Sequence, residues 1–290
     1  MSALTRPRSV LAATDLSRTA GAALVWAAEL ARAAEAELHI VYALDIQPLP
    51  EGGPFLDGIF PELLVEARES LSAHVARLEL PLEPTTAEVG LPVAHRSIVD
   101  RAAAVAADLI VLGPHRDGGA PLLGSTADGV LRRARCPVLV ARGAPSIPVS
   151  GVVVPVDLSA HSLAALELVV AWLPWLGEGA EVRAVYVIPE ALAGAERALD
   201  RDRLLDQLEA AATDAVGGSE AGPDVVPEVV AARSPAEGIV ACAAAPGRDL
   251  IVMASHGSGA VKRALVGSVA SRVARTAAGS VLLVPPHGLD

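Results

Sequence analysis

The residues best suited to bind an anion lie in one loop near the C-terminus, within the sequence VMASHGSGAVKRALVGSVASRVA. Gly257 and Gly267 stand at the two ends of this loop, and glycine lets backbone amides approach a phosphate closely because it has no Cβ. Ser268 follows at the predicted start of a helix, where free N–H groups and the positive end of the dipole favour an anion. Lys262 and Arg263 lie between the glycines. The pattern predicts a phosphate-binding loop.

The same residues also have plain structural interpretations. Gly257 and Gly267 fit a turn and a close helix contact, and the two basic residues between them fit solvated loop charges. His115 and His256 occupy matching positions in two similar loops, with no carboxylate or serine partner that would indicate catalysis. We interpret both histidines as loop hydrogen-bonding residues.

An aspartate follows the first apolar run of each half of the chain. Asp15 comes after residues 10–14, and Asp157 comes after residues 152–156. Ligands of parallel sheets bind outside the carboxyl ends of the strands, where strand order reverses. Each aspartate is therefore predicted either to contact a nucleoside or to organise the approach to the next helix, whose N-cap is Ser17 or Ser159.

The two halves of the chain are similar in sequence. SVLAATDLSRTAGAAL near the start matches GVVVPVDLSAHSLAAL, and ADLIVLGPH matches RDLIVMASH. Asp15 and Asp157 are 142 positions apart, and Gly124 and Gly267 are 143 apart. Such regular spacing indicates a tandem duplication. The Pro- and Ser-containing segment GAPSIPVSG separates the copies, so we predict domains over residues 1–144 and 145–290.

Composition and pattern predict an α/β fold. Hydrophobic residues make up 52% of the chain and aromatic residues only 2%, so the core must be aliphatic, as in buried parallel sheets. Apolar runs alternate with helical patterns, which predicts two similar, open, mostly parallel five-stranded sheets with helices on both faces. Pro174 is predicted to end a helix. The clearest strands are predicted over residues 10–14, 109–112, 137–142, 152–156, 250–253 and 280–284.

Charge and hydropathy exclude several classes of function. The net charge of −11 argues against a nucleic-acid surface, which would need a basic stripe. No apolar run approaches the roughly 18 residues of a membrane span, and no signal peptide is recognisable. Cys136 and Cys242 form no metal-binding motif and are predicted to be small, unpaired residues in a reducing compartment. We expect a cytoplasmic protein with no membrane or nucleic-acid partner.

The second half resembles nucleotide-binding members of the universal stress protein family, whose pattern is G-x-x-G-x9-G-[ST]. Gly257, Gly267 and Ser268 match it with the nine-residue interval, while Ala254 replaces the first glycine. The resemblance implies a Rossmann-like fold, similar to adenine nucleotide alpha hydrolases. It also implies binding of ATP, with Mg²⁺ as a candidate companion. The implied nucleotide-binding residues of the second half are Pro155, Val156, Asp157, Val187, Met253, Ala254, His256, Gly257, Gly267, Ser268 and Val269.

The first half departs further from the family pattern. Gly113 matches the first glycine, but Arg116 replaces the second, and only seven residues separate it from Gly124. Gly118 and Gly119 either restore flexibility to this shorter loop or only form a turn. The corresponding nucleotide-binding residues of the first half are Ala13, Thr14, Asp15, Gly113, Gly124, Ser125 and Thr126.

The resemblance implies an ATP-binding sensor or regulator of stress rather than an efficient enzyme. The sequence has no Walker motif and no nucleophile–base pair, so we expect no catalytic residues and at most slow ATP hydrolysis. The alternative is a scaffold of the same fold that pairs domains and partners without nucleotide. An adenylating enzyme would need a Gly- and Ser-rich loop after the first strand, which ATDLS and PVDLS do not supply. The resemblance further implies antiparallel pairing of the two fifth strands, a homodimer and a regulatory protein partner.

Overall fold

The computed structural model describes residues 6–43, 56–90, 93–114, 123–190, 197–217, 223–257 and 266–286. The first half contains β1 (Ser9–Thr14), α1 (Arg18–Ala34), β2 (Glu37–Ala43), α2 (Leu56–Leu78), β3 (Thr86–Gly90), α3 (Ala94–Ala104), β4 (Leu109–Leu112), α4 (Ser125–Leu131) and β5 (Val138–Val140). The second half contains β6 (Gly151–Pro155), α5 (Ala160–Leu176), β7 (Glu181–Pro189), α6 (Arg197–Val216), β8 (Val225–Ala232), α7 (Pro235–Ala243), β9 (Leu250–Ala254), α8 (Ser268–Thr276) and β10 (Ser280–Val284).

The ten strands form one sheet in the order β3-β2-β1-β4-β5-β10-β9-β6-β7-β8. Within each half all pairs are parallel, as predicted for a βαβ arrangement. The halves join through the antiparallel pair β5 and β10, in which Leu139 faces Leu282. Strand order reverses between β1 and β4 and again between β6 and β9, so two equivalent crevices are expected.

Helices cover both faces of the sheet and bury an aliphatic core on each. All six residues of β1 and all five of β9 and β10 are buried, as strands covered on both faces require. The core on one face includes residues of α1 and α5. The other core includes residues of α3, α4, α7 and α8. Both cores contain strand residues from the two halves and are therefore continuous across the β5–β10 seam.

Several predicted boundaries were wrong. The strand predicted over residues 137–142 has only Val138–Val140 as β5, because Pro137 lacks an N–H and Arg142 bonds to a side chain instead of the ladder. The strand predicted over residues 152–156 ends at Pro155. Pro174 lies inside α5 rather than ending it. The helix continues because later bonds persist, with Gly177 N donating to Leu173 O at 2.9 Å.

Candidate functional site

The aspartate after the first strand organises the same turn in both halves. Asp15 Oδ1 accepts from Ser17 N at 2.9 Å, and Asp157 Oδ1 accepts from Ser159 N at 3.1 Å. Each serine then caps the following helix by accepting from the amide three residues on, as predicted. The structural interpretation of the aspartates is thus present in both copies. These bonds use the Oδ1 atoms of the two aspartates and do not account for the position of their second carboxylate oxygens.

That turn contains a leucine with a left-handed backbone in each half. Leu16 has φ 63° and Leu158 has φ 61°, although a side chain with a Cβ disfavours this region by roughly 1–2 kcal/mol. Such strain persists only where the surroundings determine the conformation, and it is found preferentially at functional sites. The duplicated strain indicates that a fixed placement of the aspartate was retained in both copies.

A cavity of about 450 Å³ opens where β1 and β4 diverge in the first half. Its volume falls within the range of small-molecule pockets, about 300–1,000 Å³. All seven residues predicted for the first half line it: Ala13, Thr14, Asp15, Gly113, Gly124, Ser125 and Thr126. The other lining residues were not predicted from the sequence: Ala20, Tyr42, Ala43, Ala94, Ile98, Leu112, Pro114 and Ala127.

The lining combines apolar and polar groups. The apolar part comes from β2, β4 and α3, including Ala43 and Ile98. The polar part comes from the Asp15 turn and from the start of α4 at Ser125. A lining of this kind suits a ligand with a flat apolar ring and polar substituents. Ala43 corresponds by repeat to Val187 of the second half, so the duplication itself was a signal that could have identified it.

Gly113 packs against the start of α1. A Cβ at this position would lie 3.0 Å from Thr19 O and 3.2 Å from Ala20 N. The glycine therefore permits a close approach between the end of β4 and the first turn of the helix. Gly113 has a packing function in addition to lining the cavity.

In the second half, the glycine loop and the aspartate meet at the carboxyl ends of β6 and β9. A Cβ at Gly257 would lie 2.7 Å from Asp157 Oδ2, closer than real Cβ contacts. Gly267 N donates to Ser255 O at 2.7 Å, and a Cβ at Gly267 would lie 3.2 Å from the same oxygen. The structure thus brings Asp157 together with Gly257 and Gly267, which follow it by 100 and 110 positions in the sequence.

The neighbouring predicted residues lie in β7, in β9 and directly after β9. Met253 and Ala254 are buried at the end of β9. Val187 is half-buried in β7 and packs closely on α7, since a Cβ at Gly238 would lie 2.6 Å from its Cγ1. His256 is buried, and its Nδ1 lies 2.8 Å from Ser255 Oγ. This contact agrees with a loop hydrogen-bonding role for the histidine, but it also gives His256 a serine partner that the sequence interpretation lacked.

Helix α8 begins where the sequence predicted. Gly267 is its N-cap and Ser268 its first residue, with Ser268 exposed and Val269 half-buried. The N-cap residue is a glycine and has no side chain to accept from the first backbone N–H groups of the helix, so the cap itself does not use them. The remaining loop residues of the prediction lie outside the described residues: His115, Arg116, Gly118, Gly119, Lys262 and Arg263.

Within the described ranges, no group of three or more His, Cys, Asp or Glu side chains is arranged to hold a metal ion. No helix within the same ranges is long and apolar enough to cross a bilayer. Cys136 and Cys242 are both free thiols.

The sequence pattern of the universal stress protein family matches the chain twice, over residues 7–142 and 150–285. A universal stress protein A homologue of Coxiella burnetii is 33% identical over 137 residues, covering 46% of this chain and 94% of that protein. A universal stress protein of Mycobacterium tuberculosis is 26% identical over 288 residues, covering 94% and 95% of the two chains. The crystal structure of a universal stress protein from Archaeoglobus fulgidus superposes with a TM-score of 0.65 at 19% identity, covering 98% and 99%, and this shows a shared fold.

Proposed function

The chain belongs to the universal stress protein family, and from this premise we propose that it binds ATP as a sensor or regulator in the stress response. The proposal includes at most slow hydrolysis of the nucleotide. It assigns no catalytic residue, because the Ser255 hydroxyl and His256 Nδ1, which lie 2.8 Å apart, are both buried. Regulation would then depend on which nucleotide is bound.

The contact between Gly257 and Asp157 carries the proposal. A Cβ at Gly257 would meet Asp157 Oδ2, so the aspartate turn and the glycine loop can approach each other this closely only with glycine at this position. A turn that served only the first helix would need Asp157 Oδ1 and Ser159, and would not require a glycine a hundred positions away. A nucleoside held at the carboxylate, with its phosphates near the loop, accounts for both residues.

We assign different residues of the second half to the nucleoside, the phosphates and the base of the nucleotide. We assign the nucleoside hydroxyls or base amino group to Asp157, and the phosphates to the backbone at Gly267 and Ser268. The apolar residues at the strand ends, Val187 and Met253 among them, suit the base. Mg²⁺ would bind mainly through phosphate oxygens and water, as this ion commonly does.

The first half is proposed as a second nucleotide site. Its cavity of about 450 Å³ includes the Asp15 turn and the start of α4, which are the counterparts of the second-half residues. The sequence favoured the second half, because Arg116 replaces a loop glycine in the first. The cavity strengthens the case for the first half, since its apolar lining does not depend on that loop.

The alternative is a scaffold without nucleotide, and one observation favours it. The Asp15 and Asp157 hydrogen bonds to their own helix approaches give both aspartates a purely structural use. In either case we propose a cytoplasmic homodimer with a regulatory protein partner. The two free cysteines support a reducing compartment. Gel filtration with light scattering tests the dimer.

Mass spectrometry of small molecules released from the purified chain separates the two functions. We expect an adenine nucleotide at a fixed ratio to protein. Calorimetry then compares the wild type with Gly267→Val, whose branched side chain would crowd Ser255 O and the first amides of α8. A folded Gly267→Val variant with unchanged ATP affinity would remove the second-half site from the proposal.

A further inference from the structure

Arg142, just after β5 in the first half, reaches across the seam to the last turn of α8. Its Nη2 donates to Ala274 O at 2.5 Å, and its Nη1 lies 3.5 Å from Gly279 O. Ala274 is fully buried, and the final carbonyls of a helix have no partner within the helix. A first-half side chain thus caps the C-terminal end of a second-half helix.

The main chain of Arg142 is held at the same place. Arg142 N donates to Ser280 Oγ at 2.9 Å, and the Ser280 hydroxyl donates to Arg142 O at 3.2 Å. Ser280 is 1% exposed, so water does not compete for these bonds. With its backbone fixed to the start of β10, the Arg142 guanidinium has little freedom to leave the end of α8.

The guanidinium is also electrostatically suited to this position. Burial lowers the pKa of Arg142, but arginine remains protonated throughout the physiological range. A cation at a helix C-terminus is favoured by the negative end of the dipole. Arg142 therefore offers α8 both hydrogen-bond donors and a complementary charge.

The second half has a proline at the position that corresponds to Arg142. β4 pairs with β5 through Val111 and Leu139, and β9 pairs with β10 through Val252 and Leu282. Pro285 is three residues beyond Leu282, as Arg142 is three beyond Leu139, so Pro285 is the counterpart of Arg142. Proline has no side-chain donor, and the second half therefore has no equivalent residue at this position to cap α4.

Helix α8 connects this contact to the proposed nucleotide site. Its N-terminal end is Gly267 and Ser268, and its C-terminal end is held by Arg142. Helix α8 has nine residues and is about 13 Å long, so we expect a shift at its C-terminal end to displace its N-terminal end. We infer that Arg142 is a positioning residue for the second-half nucleotide site, through which the first half sets the placement of the phosphate-binding helix end.

This inference rests on the proposed ATP binding and is tested in the full-length chain. Asp15→Ala serves as the parent, so that calorimetric titration with ATP reads the second half alone. Arg142→Met keeps the aliphatic stem and removes the donors and the charge. Arg142→Lys restores a cation and a donor. Arg133→Ala is the matched control, because Arg133 Nη1 donates to Gly129 O at 3.0 Å within its own half.

We expect Arg142→Met to weaken ATP binding about tenfold, within the usual range of coupling between sites. Arg142→Lys should recover most of the affinity, and Arg133→Ala should match the parent. Hydrogen exchange should be faster in α8 of Arg142→Met than in α8 of the parent. If the methionine variant does not fold, Arg142→Gln serves the same comparison.

The outcomes distinguish this inference from the function on which it rests. A parent that binds no ATP overturns the proposed second-half site and the positioning role together. A parent that binds ATP, with a folded Arg142→Met variant of equal affinity, overturns the positioning role alone. Equal losses in Arg142→Met and Arg133→Ala would also overturn it, since a general loss of charge would then explain the effect.

Discussion

Gly257 and the carboxylate of Asp157 lie so close together that a Cβ on the glycine would be 2.7 Å from Asp157 Oδ2. The two residues are a hundred positions apart in the chain and meet because β6 and β9 are neighbours in the sheet. The atom that a methyl group would meet is the end of a side chain, so it can move aside at small energetic cost. A substitution at Gly257 therefore changes the position of the carboxylate more than the stability of the fold.

Gly257→Ala should lower the ATP affinity of the second half at least tenfold, because the displaced carboxylate no longer meets the nucleoside. Its free energy of unfolding should change by less than about 1 kcal/mol, as is usual for small changes outside the core. Gly279→Ala is the control, since a Cβ there would lie 3.8 Å from Asp249 O, an ordinary contact. Calorimetry and urea unfolding measure the two quantities. Equal ATP affinity in both variants would contradict the account.

Asp157→Ala and Ser159→Ala separate ligand binding from helix capping. Asp157→Ala removes the bonds that Ser159 N and Ser159 Oγ donate to Asp157 Oδ1. Ser159→Ala removes the hydroxyl bond and the helix cap but keeps the backbone bond, and loss of a serine cap costs about 1 kcal/mol. Only Asp157→Ala removes the carboxylate. We expect similar losses of stability, and a much larger loss of ATP affinity in Asp157→Ala. If the two variants bind ATP equally well, Asp157 acts only in the local turn.

Leu282→Ala should weaken the seam between the halves. Leu282 is 3% exposed in β10, pairs with Leu139 of β5, and lines a small apolar void with Trp26 and Trp172. Truncation of a buried leucine costs about 2–5 kcal/mol. Urea unfolding followed by tryptophan fluorescence should show this loss, while Val65→Ala, at a position 53% exposed, should show little. Equal midpoints for the two variants would contradict the packing described here.

His74 should make the protein less stable in mild acid. It is 8% exposed, and a Cβ at Gly21 of α1 would lie 3.6 Å from its Nε2. Burial lowers the pKa of His74, Arg77 lowers it further, and Asp15 partly opposes both. The unfolded chain then binds the proton more readily, so stability present above the ordinary value of about 6.5 is lost as pH falls. His74→Gln should unfold with a smaller dependence on pH between about 7 and 5, and an unchanged dependence would exclude this role.

The fold could be predicted from the duplicated pattern. The alternation of strand and helix patterns in the sequence predicted parallel strands, and Ser17 and Ser159 correctly predicted the starts of two helices. The prediction that Pro174 ends a helix was wrong, because a proline in the last turn removes one hydrogen bond and leaves the neighbouring ones intact. The broken bond is too small an effect to end a helix whose apolar face is buried on the core.

The candidate site was only partly predictable. Local motifs identified Asp15 and Gly124, which line the first-half cavity. Ile98 also lines it but belongs to α3, and its approach to the crevice depends on the strand order, which spacing along the chain does not define. The contacts of Arg142 could not be predicted for the same reason, since its partners lie more than 130 positions away across the seam.

Titration of the nucleotide-free full-length chain with ATP decides whether the protein binds nucleotide. We expect saturable binding, with the affinity reduced in Asp157→Ala and further reduced in the Asp15→Ala, Asp157→Ala double variant. Gly279→Ala should bind as the wild type does. A folded wild-type chain that shows no heat of binding and retains no labelled ATP in equilibrium dialysis would contradict nucleotide binding and favour the scaffold.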